Sequence, residues 1–401
     1  MIRRHTRFTT IVDTPLGDEV ELELPISLND WENPEIITQF TPNHIIVGYL
    51  AHDDCPSNPL DDCDGMGVIH HHPRSDYGRC DSAYFEVLGL DSYGDPVVDE
   101  DKMQMLWRDK VLALPDEVFT PYKPEDETID PEHFAQDLRL QLANEPAGDY
   151  SLWDMVYSAL YRNVCNGDWE LDRDEIASLA EALEDHLTWD WDEVRQECWV
   201  GADPDAVMLD LYDHSGVTWS VSGGGMQCQW DTSRGESVWV PDQYAREEID
   251  TRAPIYDHAV VHETNWLKRR GRNYRLEVDN KTIKEGDGWL PLYHIAKEIA
   301  RLRVKAGVPA WNNGRRTAAC QLAANAAESY TDYCNGNCYG VVVAVYSMDG
   351  DLIEDDACWG FLGHTYAEEC LEAEVEDMVE RYAKRDAALA EFLVESEGGE
   401  V

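Results

Sequence analysis

Val207–Val240 reads VMLDLYDHSGVTWSVSGGGMQCQWDTSRGESVWV, and the fold is decided by how this stretch is read. Apolar and polar residues alternate through VMLDLYD, the chain turns at His214-Ser215-Gly216, and alternation resumes through VTWSVS. Period-two alternation on both sides of a short turn predicts a two-stranded antiparallel hairpin with one buried face. A third strand is predicted at SVWV (237–240). Between the strands lie Gly223-Gly224-Gly225, Cys228 and the Trp230-Asp231 pair, so groups capable of chemistry crowd a segment with the composition of a core.

Upstream, residues 1–50 alternate in segments such as VELELPISL and close on HIIVGYL, which predicts short strands. Residues 52–81 are rich in Asp, Pro and Gly and read as a loop. From 99 to 200 the period changes. DEDKMQMLWRDKVLAL, PEHFAQDLRLQL, SLWDMVYSALYRNV and DRDEIASLAEALEDHL place apolar residues three and four apart, behind acidic first turns that suit the helix dipole. Downstream, PDQYAREEID reads as a short helix with Pro first, and helices are predicted in LYHIAKEIARLRVKAG and RTAACQLAANAAESYTDYC. The chain then gives two strands joined at Met348-Asp349-Gly350 and a long acidic amphipathic helix, HTYAEECLEAEVEDMVERYAKRDAALAEFLVE. These elements predict an α+β fold: an antiparallel sheet core with an inserted acidic helical domain and a C-terminal helix. The expected divisions are 1–98 (strands and the Asp/Pro/His loop), 99–200 (helical), 201–251 (central hairpin), 252–337 (basic, mainly helical) and 338–401 (hairpin and helix).

Composition narrows the function. The 401 residues include 43% hydrophobic and 10% aromatic residues, enough for substantial cores. No run of about 18 apolar residues is present, so no membrane span is expected, and MIRRHTRFTTIVD has no secretory apolar region. Eleven cysteines, an odd number without a tight framework, point to reduced thiols and a cytoplasmic setting. The formal net charge of -49 is far beyond what solubility requires. A comparable charge occupies roughly 80 Å of B-DNA, while a compact chain of this length is roughly 55 Å across. Three readings follow: an acidic surface that imitates nucleic acid and enters the basic groove of a DNA- or RNA-binding protein; adaptation to high salt, in keeping with few Lys relative to Arg; or a solvated surface with no specific role. The surfaces expected to meet a partner are Glu181, Glu184, Asp185, Asp190 and Asp192 in the helical block, and Glu369, Glu372, Glu374, Glu376 and Asp377 in the final helix.

Residues 252–316 break the pattern with fourteen Lys and Arg against seven Asp and Glu. Such an island can bind nucleic acid, with Trp266, Tyr274 and Trp289 for stacking, or it can dock on the protein's own acidic face or on another subunit. The second reading is preferred, because the surrounding field repels phosphate.

DDCPSNPLDDCDGMGVIHHH, LYDHSGVTWS followed by CQWDTSRG, and YGVVVAVYSMDGDLIEDDACWGFLG resemble a family of uncharacterised proteins of bacteriophages and plasmids. Its members are similar in an Asp- and Pro-rich loop ending in a Gly-x-Met or Gly-x-Ile pair, a YDHSG-x-T hairpin, a C-x-WD segment and an SCWGF-like hairpin. The likeness covers about a third of the chain. Gly223-Gly224-Gly225 and Ala357 depart from the pattern, the latter standing where a serine usually precedes the cysteine. The resemblance implies a phage or mobile-element setting and carries no chemistry with it.

Other residue types suggest sites of their own. Cys55, Cys63, His70, His72 and Cys80 offer soft ligands for zinc, although their spacing matches no compact zinc pattern, and a loop ordered by hydrogen bonds is the simpler reading. His214, Cys228 and Asp231 have the residue types of a nucleophile, base and orienting acid, yet neighbours on a strand point to opposite faces. Capping by Asp213 and Ser215 and by Asp231 and Ser233, with the tryptophans packed across the sheet, accounts for the same residues. The sequence thus favours a counter-defence protein that mimics nucleic acid against a host complex such as a CRISPR effector or restriction enzyme. A metal-dependent hydrolase using the 53–81 loop with His214 and Asp231 is the alternative, and a salt-adapted acidic protein the third reading. Neither the partner nor the oligomeric state is specified.

Overall fold

The computed structural model describes all of the chain except residues 1, 6–7, 16, 28–35, 77–82, 116–117, 120–130, 145–150, 152, 158–172, 188–190, 265–272 and 398–401. It divides into two units, Met1–Asp81 with Asp205–Val401, and Ser82–Pro204. The architecture is α+β with antiparallel sheets.

Among the described residues, the first unit holds four sheets. In the largest, β13 (Cys338–Ser347) runs between β14 (Leu352–Leu362) and β5 (His44–His52), and β4 (Ile37–Phe40) follows β5. CYGVVVAVYS is buried at nine of ten positions because both faces are covered, which is why it reads as a continuous apolar run. Val342, Ala344 and Tyr346 face a core with Val12, Leu22 and Leu24. These last residues belong to β2 (Thr9–Asp13), β3 (Glu19–Glu23) and the residue after it, in a sheet ordered β1-β2-β3 with β1 at Ile2–His5. Val341, Val343 and Val345 face the other way, onto Leu371, Val375, Met378 and Tyr382 of the helix His364–Glu397.

The opening stretch forms β7 (Val207–Asp213) and β8 (Val217–Val221), as its alternation predicts, and β9 (Thr232–Val240), which starts five residues before the expected SVWV; β6 (Val68–His71) completes the order β6-β9-β7-β8. Ser215 takes φ 64° in the turn. Leu209, Leu211, Trp219 and Trp239 pack with Ala318, Ala319, Ala323, Ala326 and Ala327 of the helix Gly314–Cys334, whose small residues let sheet and helix approach closely. The helix Gln243–Tyr256 starts later than PDQYAREEID suggests: Asp242 is its N-cap, accepting from the Ala245 N–H at 2.8 Å, so Pro241 lies outside.

The basic segment differs from its expected helical character. Besides the helices Trp289–Lys305 and Gly314–Cys334, it contains a sheet of β10 (Val260–Glu263), β11 (Tyr274–Val278) and β12 (Lys281–Gly286). All of β12 but its last residue is exposed, so no apolar face marks it in the sequence.

In the second unit, the helices Glu100–Leu112, Pro131–Asn144 and Arg173–Leu187 share a core of Trp107, Val111, Leu138, Leu142 and Leu183. Trp107 Nε1–H donates to the Leu142 carbonyl at 2.9 Å, which satisfies the ring's polar edge inside that core.

Candidate functional site

The helix His364–Glu397 has two contrasting faces. Ala367, Leu371, Val375, Met378 and Tyr382 are buried at three- and four-residue spacing. Glu369, Glu372, Glu376 and Glu380 recur at the same spacing on the opposite side, exposed, with Glu374 and Asp377 exposed on the flanks. Between 368 and 380 there are seven Asp and Glu along about 18 Å of helix, or about one per 3 Å. One strand of B-DNA carries a phosphate per about 3.4 Å of axis. The acidic run stops at Glu380, where Lys384 Nζ lies 2.6 Å from Glu380 Oε1.

One acid of this helix is buried. Asp386 accepts from Thr41 Oγ1–H at 2.7 Å and Asn43 N–H at 3.2 Å, and its carboxylate lies 3.2 Å from His44 Nδ1. Burial pushes its pKa up, but these hydrogen bonds outweigh burial and hold it below the usual carboxylate range. The helix is thereby pinned to the β4–β5 turn.

In the second unit Glu181 and Asp185 are exposed one turn apart on the helix Arg173–Leu187. Asp192 is exposed at the start of Trp191–Cys198 and, with Asp95, Pro96, Arg195, Gln196 and Trp199, lines a cavity of about 710 Å³. Asp190 and the side chain of Glu184 lie outside the described residues.

At the central hairpin, Asp231 Oδ2 accepts from Cys228 Sγ–H at 3.3 Å and lies 3.5 Å from His214 Nδ1. The carboxylate therefore sits between thiol and imidazole. A cysteine nucleophile needs the imidazole as its immediate partner, and here a carboxylate holds that place. Thr232, not Asp231 or Ser233, closes the turn: its Oγ1–H donates to the Met226 carbonyl at 2.8 Å and its oxygen accepts from Cys228 N–H at 3.0 Å. Trp219 and Trp239 pack across the sheet, whereas Trp230 is 86% exposed, contrary to the packing expected of it.

The residue that organises this region is Asp210. It is buried and accepts from the N–H groups of Gly223 at 2.9 Å and Gly235 at 3.0 Å and from Gln227 Nε2–H at 3.3 Å. Burial raises its pKa, and the hydrogen bonds from Gly223, Gly235, Ser222 and Gln227 overcome that and lower it. The glycine loop is thus wrapped round a carboxylate of its own chain.

The Asp-Pro loop is held in the same way. Asp242 Oδ2 accepts from Gly65 N–H at 2.7 Å and Gly67 N–H at 3.1 Å, while its other oxygen caps the helix Gln243–Tyr256. Trp239 Nε1–H donates to the Met66 carbonyl at 2.7 Å. Gly67 sits at φ +68°, and a Cβ there would come within 2.5 Å of the Val240 carbonyl, so this position answers to a close approach, whereas Gly65 answers to its φ of +87°.

Cys55 and Cys63 are exposed, and Cys80 lies outside the described residues. His70 and His71 are neighbours in β6 and point to opposite faces; His71 is buried, with Nδ1 2.8 Å from Ser237 Oγ and Nε2 3.2 Å from Tyr330 Oη. His72 N–H donates to the Glu236 carbonyl at 2.8 Å and its Nδ1 accepts from Arg74 N–H at 3.1 Å. Among the described residues, no three His, Cys, Asp or Glu side chains are grouped to hold a metal ion. Five residues of strand separate Glu236, beside His72, from Asp231, about 16 Å. The loop histidines and the His214–Asp231 pair do not converge.

Five arginines of the described basic segment are engaged with the chain's own carboxylates. Arg315 grips buried Asp205 through Nε and one terminal nitrogen, both at 2.6 Å, and reaches Asp250 at 2.6 Å. Arg246 approaches Asp205 at 3.3 Å. Arg252 pairs with Glu248, Arg275 with Glu277, Arg301 with Glu298 and Arg303 with Asp279. Trp289 stacks on Tyr293 at 4.4 Å with Arg252 over its ring, which occupies it internally. Trp266, Lys268, Arg269, Arg270 and Arg272 lie outside the described residues.

Sequence reasoning did not single out Asp205, Asp210, Asp242 or Asp386 among 81 acidic residues. The one local signal was Pro241-Asp242 ahead of a helix. No family model, curated protein or solved structure matches the chain. No helix among the described residues is long and apolar enough to cross a membrane.

Proposed function

We propose that this chain is a nucleic-acid mimic that occupies the DNA- or RNA-binding groove of a host defence complex, a CRISPR effector or a restriction enzyme, in the cytoplasm of a cell carrying a phage or mobile element. The observation that supports it is the exposed row Glu369, Glu372, Glu376 and Glu380, backed by a buried apolar face that fixes the row on a sheet. With Glu374 and Asp377 exposed on its flanks, the row carries carboxylates at roughly the linear density of one nucleic-acid strand, a field that a basic groove is built to bind. Glu181, Asp185 and Asp192 provide a second exposed acidic surface. The pairing of Arg252, Arg275, Arg301, Arg303 and Arg315 with the chain's own carboxylates agrees with this reading, since those five side chains are not held out for phosphate.

The test is capture of a partner by the tagged chain from cells carrying defence systems, followed by elution with rising salt and with duplex DNA or RNA. A mimic releases its partner to both, and the triple change Glu369→Lys, Glu372→Lys and Glu376→Lys reduces capture at least tenfold. Capture that resists salt and nucleic acid and survives the triple change removes the mechanism. A chain that instead unfolds at low ionic strength supports salt adaptation.

A further inference from the structure

The sheet edges of the first unit are treated differently. At β8 the outward groups are closed by the helix Gly314–Cys334 and its cap: Val217 N–H donates to Asn335 Oδ1 at 2.9 Å, Trp219 N–H to Thr331 Oγ1 at 2.9 Å, and Asn335 Nδ2–H to the Val217 carbonyl at 2.7 Å. β4 and β6 have four residues each. β12 carries Lys281 and Lys284, charges that commonly protect an edge. β14 has eleven residues, is the outer strand of its sheet and contains no Pro, Lys or Arg; bulges at Ile353 and at Trp359-Gly360 bound its regular stretch, Glu354–Cys358.

Its side chains are arranged in zones. Leu352 and Ile353 are 47% and 45% exposed at one end, and Trp359 is 45% exposed near the other. Trp359 is fixed in place by lying on Gly340, where a Cβ would come within 2.5 Å of its ring. In the middle, Glu354 is engaged by Arg381 and Tyr382, which leaves Asp355 and Asp356 exposed, one on each face of the strand. In a chain of net charge -49 these carboxylates repel a second copy. The same pair attracts an extended segment with basic residues at its centre and apolar residues at its ends.

We propose that β14 is a docking edge for an extended, Lys/Arg-centred segment of a partner protein, which adds to the sheet as a further strand. Backbone hydrogen bonds supply the ladder, Asp355 and Asp356 select basic residues on the two faces, and Ile353 and Trp359 hold the apolar flanks. The inference does not rest on mimicry, since it uses a different surface from the acidic helix row and survives that reading's failure.

The probe is a fluorescein-labelled peptide, Thr-Val-Thr-Lys-Arg-Thr-Val-Thr, titrated against the full chain by anisotropy. Saturable binding is expected, with slowed amide exchange across 352–362. The same peptide N-methylated at alternate residues keeps its charge, loses donors on one edge, and should bind at least tenfold more weakly. Asp355→Lys with Asp356→Lys should also cost at least tenfold while leaving the circular dichroism unchanged. Absence of binding, equal binding of the N-methylated peptide, or binding without protection of 352–362 each overturns the proposal, the latter two by showing diffuse charge attraction.

Discussion

The β7–β9 sheet and the β13–β14 sheet solve opposite problems with the same acidic residue type. Around β7–β9, carboxylates are taken inside and used as acceptors for loops and caps: Asp210 for the glycine loop, Asp242 for the Asp-Pro loop and a helix, Asp205 for Arg315. The outer edge of β8 is closed by Asn335 and Thr331. Around β13–β14, all but Asp386 among the acids discussed stay outside, and the β14 edge is open. In one region negative charge builds structure, and in the other it is displayed. The difference shows that net charge alone says little about which carboxylates are available to a partner.

The largest effect expected from this contrast is on acid stability. Asp210, Asp242 and Asp386 have pKa values lowered on folding. Their contribution is therefore present above the unfolded value of about 3.9 and is lost as pH falls through the folded values. Denaturant midpoints should therefore be lower below about pH 4 than at pH 7. A midpoint unchanged down to about pH 3 would show that these three carboxylates contribute nothing to the fold.

Arg315→Ala comes next. It leaves buried Asp205 with only Arg246 at 3.3 Å among its ion pairs described above, and about 3 kcal/mol should be lost in urea unfolding. A loss below about 1 kcal/mol would mean that Asp205 is reached by water.

Converting the closed edge toward the open kind is a smaller change. Asn335→Ala removes the acceptor of Val217 N–H and should cost about 1–2 kcal/mol, with faster exchange at Val217. Unchanged exchange would show that the helix body alone shields β8. Smallest of all is Asp355→Lys with Asp356→Lys, two exposed positions where stability should move by no more than about 0.5 kcal/mol each. A larger loss would place these residues with the structural acids rather than the displayed ones.

The elements whose sequence shows a period were legible. VMLDLYD and VTWSVS gave β7 and β8, the Asp349-Gly350 turn gave the hairpin of β13 and β14, and the amphipathic pattern of HTYAEECLEAEVEDMVERYAKRDAALAEFLVE gave the C-terminal helix. β12 was not, because KTIKEG has no buried face to write an alternation. The acidic helix face was readable from spacing alone, since a residue opposite a buried stripe must be exposed. The structural carboxylates were hidden for the reverse reason. Asp210 lies on the polar side of its alternation and is buried only because residues 222–227 and Gly235 fold over it, a contact between segments that no local pattern records. Gly67 and Trp239, 172 positions apart in the sequence, are likewise explained by one another only in three dimensions.

The pairing of β5 with β13, from Tyr339↔His52 to Ser347↔His44, also sets the order in which the protein can be assembled. HIIVGYLAH leaves the ribosome nearly three hundred residues before its partner exists. At ordinary synthesis rates that interval is about 15 to 60 s. For that time a strand buried at six of nine positions in the finished sheet has β4 beside it but neither its β13 ladder nor its covering helix. The first unit can close only after the inserted unit has been made, so its folding is post-translational in character and slow for its size.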